Sequence, residues 1–93
     1  MPLYATVHRS PGLSPDEIAA NGALVAKSEH ATFQHLYVDL YQGFLVSIYE
    51  GESQEAVERE FERVGFPWDE IHEIHVSLDA ATLQAQVSRA AAP

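Results

Sequence analysis

Apolar and polar residues alternate along the first eight positions in a period of two, which predicts a strand. Leu3, Ala5 and Val7 fall on one side of it, and Tyr4, Thr6 and His8 on the other. Ser10-Pro11-Gly12 breaks the pattern, and Ser14-Pro15-Asp16-Glu17 opens a helix. Ser14 is its N-cap, Pro15 takes the first helical position and Glu17 completes a capping box. Ile18, Gly22 and Val25 lie along one side of this helix. Gly22 costs about 1 kcal/mol there relative to alanine, so it either permits close packing on a sheet or is simply tolerated.

Period two returns over residues 33–40, with Leu36, Val38 and Leu40 on the apolar side and Phe33, His35, Tyr37 and Asp39 on the other. Tyr41-Gln42-Gly43 is a turn, so residues 44–49 come back as the antiparallel partner. Ser53 then caps a second helix whose Val57, Phe61 and Val64 recur at i, i+4 and i+7. Gly65, Phe66 and Pro67 stop it. Glu55, Glu58, Arg59, Glu60, Glu62 and Arg63 read as its solvated face. A last strand is predicted over residues 73–78, where Ile74, Val76 and Leu78 alternate with Glu73, His75 and Ser77. Leu83 and Val87, four apart in an alanine-rich tail, predict a short helix over residues 80–90 that frays at its end.

The order β-α-β-β-α-β predicts an α+β, ferredoxin-like sandwich. Its four-stranded antiparallel sheet runs 4-1-3-2, with both helices on one face because each offers a single apolar stripe. Residues 1–93 make one such domain, 1–79 its core and 80–93 a C-terminal tail or helix. The other sheet face is left uncovered, which suggests a homodimer interface or a binding floor.

Charge narrows the partners. Five basic residues stand against 14 acidic ones, a formal charge of −9, which repels phosphate backbones and anionic lipids. Nucleic acid and membrane surfaces are therefore not expected partners, and cations are favoured. Without cysteine there is no disulfide framework, thiol nucleophile or zinc-thiolate site. No apolar run reaches membrane-spanning length and the N-terminus lacks a signal-peptide core, so a cytoplasmic location is expected.

The stretch EAVEREFERVGFPWDEIHEI, with the hairpin TFQHLYVDLYQGFLVSIYEG before it, resembles the small ferredoxin-like nickel-binding proteins, a bacterial family also classed as a domain of unknown function. The likeness runs from Met1-Pro2 to about Asp79, and its most specific part is the Gly65-Phe66-Pro67 stop followed by Glu70-Ile71-x-Glu73-Ile74. The resemblance implies a dimeric fold and, in some members, a divalent metal site. Members often carry a histidine late in the second helix, where this chain has Glu60-Phe61-Glu62, and many carry a cysteine in the third strand, where it has Ser47. Residue by residue, the resemblance carries over His8 and Glu73.

Strand parity makes its own proposal. With Leu3, Ala5 and Val7 against the helices, Thr6, His8, Glu73, His75 and Ser77 share the uncovered face, joined by His35 and Tyr37 and, with less regular parity, Ser47 and Tyr49. His8 and His75 then lie one cross-strand spacing apart. His8, His35, Glu73 and His75 are thus the candidate ligands for Ni²⁺ or another divalent transition metal, as storage or sensing. His72 and His75 point to opposite faces of a strand and do not chelate together, and His30 reads as a partner of a helix C-terminus. The alternative is a small dimeric enzyme of the isomerase, cyclase or oxygenase kind. There a histidine is the general acid or base in a pocket between sheet and helices, and Tyr4, Tyr37 and Tyr49 orient the substrate. A plain interaction module is the third reading.

Overall fold

Local signals set nearly every boundary in the computed structural model, which describes residues 1–91. The elements are β1 (Leu3–Arg9), α1 (Pro15–Ala26), β2 (Thr32–Asp39), β3 (Phe44–Glu50), α2 (Gln54–Val64), β4 (Glu70–Ile74) and α3 (Ala80–Ala91). Ser14 Oγ accepts the Glu17 amide at 3.2 Å, and Ser53 Oγ accepts the Ala56 amide at 3.2 Å, so both sheet-covering helices are capped as their sequences predict. Gly65 closes α2 in the left-handed region (φ 78°); its amide reaches the Glu62 carbonyl while the Phe66 amide reaches that of Phe61. Asp79 caps α3 through Oδ1, 2.7 Å from the Thr82 amide. The fraying expected at the end of the tail falls on residues 92–93, outside the described residues.

The strands pair antiparallel throughout, in the order β2-β3-β1-β4, the predicted ferredoxin-like arrangement. Asp39 Oδ1 accepts the Tyr41 and Gln42 amides and turns β2 into β3. Gly43, at φ 64°, completes that turn against the β1–α1 loop, where a Cβ would meet Pro11 Cα at 2.6 Å. The core lies between the sheet and α2, where Val57 and Phe61 pack on Tyr4, Tyr49 and Ala31, ringed by Phe33, Phe66, Trp68 and Ile71.

Three expectations are corrected. The facing of β1 is the reverse of the one predicted: Tyr4, Thr6 and His8 lie under the helices, and Leu3, Ala5 and Val7 look out from the uncovered face. The cause is that β3 sends Phe44, Val46 and Ile48 outward too, so both faces are apolar and hydropathy does not distinguish them. Large rings decide instead, because Tyr4 and Tyr49 fill more core volume than Leu3 or Ala5. Secondly, β4 covers Glu70–Ile74 rather than residues 73–78. Asp69 joins the Val7 carbonyl and the register runs back to Leu3 opposite Ile74, so β1 ends before Val76 and Leu78 find a partner. Both are exposed. Thirdly, Glu60 is fully buried and Arg63 nearly so, where the charge pattern predicts a solvated face for both.

α1 sits loosely by comparison. None of its residues is buried, and a Cβ at Gly22 would meet nothing within 4 Å, so this glycine does not serve close packing. α3 leaves the body with Leu83 and Val87 about half exposed. Among the described residues no helix is long and apolar enough to cross a membrane.

Candidate functional site

Beneath α2, β1 and β3 bring two polar side chains together in an otherwise apolar core. His8 is 1% exposed and Ser47 3%. His8 Nδ1 lies 3.0 Å from the Pro67 carbonyl, and a carbonyl only accepts, so Nδ1 carries the proton. Nε2 is then the acceptor for the Ser47 hydroxyl at 2.8 Å. Phe61 and Phe66 stand edge-on to the imidazole, with centroids at 4.8 and 4.7 Å. Burial pushes the His8 pKa below its ordinary 6.5, against the opposing pull of the Pro67 carbonyl and the Asp69 charge, so the ring is neutral. Thr6, the cross-strand neighbour of Ser47, has a buried hydroxyl with no hydrogen-bond partner among the described residues.

This pair lines a cavity of about 80 Å³ between α1 and the sheet. Leu36, Leu45, Tyr49 and Phe61 supply apolar walls, Ile18 and Val25 come from α1, and the exposed Glu17 and Asn21 stand at its rim. Burial, with Glu60 nearby, pushes the Tyr49 phenol up to about 12.

The four candidate metal ligands are not gathered on one face. His8 is buried under the helices with both nitrogens occupied. His35 looks out from the opposite face beside Tyr37, their rings 6.1 Å apart. Glu73 lies opposite Tyr4 at the sheet edge and accepts its hydroxyl at 3.4 Å. Burial, then the Glu73 charge, raises the Tyr4 pKa. His75, just past the end of β4, brings Nδ1 within 3.2 Å of Glu73 Oε2. His8 and His75 are therefore not cross-strand neighbours. The register sets His75 beyond Leu3, about 20 Å along the strand from His8. Among the described residues no three potential ligands cluster. What exists is two exposed imidazole–carboxylate pairs, His75 with Glu73 and His72 with Glu70, the latter at 3.0 Å. Of the candidate pocket tyrosines, Tyr49 lines the cavity, Tyr4 is core and Tyr37 is exposed on the far face.

One functional-looking group was missed by the sequence reading. Glu60 accepts the His30 amide at 2.8 Å and pairs with Arg63, whose Nη2 donates both to Glu60 and to the Leu24 carbonyl, the latter at 2.8 Å. Burial alone would raise the Glu60 pKa, but the bonds from Arg63 and the His30 amide outweigh it and hold the carboxyl below its usual value. A signal was available: Glu60 is three residues past Val57, inside the apolar stripe rather than opposite it.

Sheet order, helix placement and a histidine-bearing fourth-strand edge define a ferredoxin-like α+β protein. Within that class the chain belongs to the family described as nickel-responsive protein SCO4226-like, whose sequence model matches residues 4–74. Its fold is similar to the crystal structure of SCO4226 from Streptomyces coelicolor A3(2), with a TM-score of 0.72 and 32% identity over 82% of this chain and 99% of that one. No curated protein matches the sequence.

Proposed function

We propose that this protein binds a divalent transition metal, nickel in the first instance, and acts in the cytoplasm as a store or sensor of that ion. Membership of a family described as nickel-responsive carries this reading. The Glu73–His75 pair at 3.2 Å supplies the first two ligands, an imidazole and a carboxylate, both exposed and so open to an incoming ion. Two ligands do not complete a coordination sphere, so water and a second copy of the chain provide the rest. The composition of the uncovered face supports dimerisation through it, since Leu3, Val7, Phe44, Val46, Ile48 and Ile74 all look out from it half-buried. A two-fold axis along the strands would set β2 of one copy over β4 of the other and His35 over the partner copy's His72, at the same strand edge as the Glu73–His75 pair but on the opposite face. His8 takes no part in this site.

Calorimetric titration of tag-free protein with Ni²⁺ tests the reading. Stoichiometric binding, weakened at least tenfold in both Glu73→Gln and His75→Ala, is the expected outcome. Binding that ignores both substitutions, or no binding by the wild type, overturns it.

A further inference from the structure

The geometry points to a second, separate site: the cavity between α1 and the sheet binds a small neutral molecule made of one apolar ring and one hydroxyl, of the size and chemistry of phenol. The two halves of the helical layer differ. α2 seals its half of the sheet, with Val57 0% and Phe61 3% exposed, whereas α1 buries no residue and leaves about 80 Å³ open beneath it. Protein interiors hold few voids larger than a water molecule, so a space of this size is unlike ordinary core packing. Apart from Glu17 and Asn21 at the rim, its lining is apolar but for three buried polar side chains, Tyr49 and the hydrogen-bonded pair of His8 and Ser47.

Those two groups decide what the occupant must offer. His8 spends its one proton on the Pro67 carbonyl, and its free nitrogen already accepts from Ser47. Ser47 has therefore no proton left to give, while its oxygen keeps acceptor capacity. A ligand group that bonds Ser47 must donate, so a hydroxyl fits there and a ketone or ether does not. The resulting chain, from ligand to Ser47 to His8 to Pro67, runs donor to acceptor at every link, an arrangement in which each bond polarises the next. No lysine or arginine lines the cavity, and Glu17 stands at its rim, so an anion would be buried without a counter-charge. The four aromatic rings of Phe33, Tyr49, Phe61 and Phe66 in the lining favour a ring over an extended chain. The thinly packed α1 gives such a molecule its way in.

The test is amide-shift NMR titration of the whole chain, in the presence of a chelator, with phenol, anisole and toluene. This keeps it independent of the metal reading. Phenol is expected to shift the amides of Ile18, Leu36 and Ser47 saturably in the millimolar range. Anisole and toluene, which share the ring and lack the donor, are expected to bind about five- to tenfold more weakly, the worth of one hydrogen bond. Ser47→Ala should abolish phenol's advantage, and Ile18→Trp, which fills the space from the loosely held helix, should abolish binding of all three. If phenol causes no saturable shift in the wild type, or binds no better than anisole, the inference falls without reference to any variant. It also falls if phenol binds Ile18→Trp as well as wild type.

Discussion

With both ring nitrogens engaged and almost no exposed surface, His8 contributes to the fold as a neutral imidazole, and this gives stability a defined dependence on pH. Its folded pKa lies below 6.5, so the unfolded chain takes up the proton first. The stabilisation is complete above pH 6.5 and falls as pH drops from there toward the lowered folded value. Glu60 behaves oppositely in charge and alike in outcome. Its folded pKa lies below the ordinary 4.5, so its contribution is present above that value and is lost as pH falls through the folded one. Urea midpoints measured from pH 8 to pH 3 should therefore decline in two stages, and His8→Gln should remove the first. A flat profile down to pH 5 would contradict the buried neutral ring. At this scale the sequence showed which residues were unusual and not which way they pointed. His8, Ser47 and Tyr49 were correctly grouped on one face, but only the volume of the tyrosine rings determines that this face is the covered one.

Among the elements, α2 is packed into the core, whereas α1 buries no residue and is held at its C-terminal end. Glu60 and Arg63 join α2 to the Leu24 carbonyl at the end of α1 and to the His30 amide before β2. Removing Glu60 leaves the His30 amide without its acceptor and Arg63 with only the exposed Glu29 opposite it, so Glu60→Ala should lower stability by about 2 kcal/mol in denaturant unfolding. A loss under about 1 kcal/mol would mean the pair is effectively solvated. Gly22 stands in mid-helix with open space around it, so Gly22→Ala should raise stability by about 1 kcal/mol in the same measurement. No change, or destabilisation, would show that α1 is packed more closely than its exposure indicates. Helix limits were legible because caps and stops are local chemistry: Ser14, Ser53 and Gly65 each act within one turn of their own position. The limits of β4 were not, since a strand ends where its neighbour ends, and Ile74 is the last residue that β1 can pair.

For the whole molecule, the order of elements was enough to give strand order and helix placement, because short connections leave few ways to wind β-α-β-β-α-β into one sheet. The gathering of ligands was not legible in the same way. Parity placed His8, His35, Glu73 and His75 together, whereas register puts one in the core, one on the far face and two at the exit of β4. In the proposed function, Glu73 and His75 hold a divalent metal ion whose remaining ligands come from water or from a second copy of the chain. The most direct test of that account is crystallographic: crystals grown with Ni²⁺, with anomalous scattering recorded at the nickel edge. The account predicts a peak bonded to His75 and Glu73, its remaining ligands coming from water or from a second copy, and none at His8. A peak at His8, with its bonds to Ser47 and Pro67 broken, or ordered nickel bound to neither His75 nor Glu73, would contradict it.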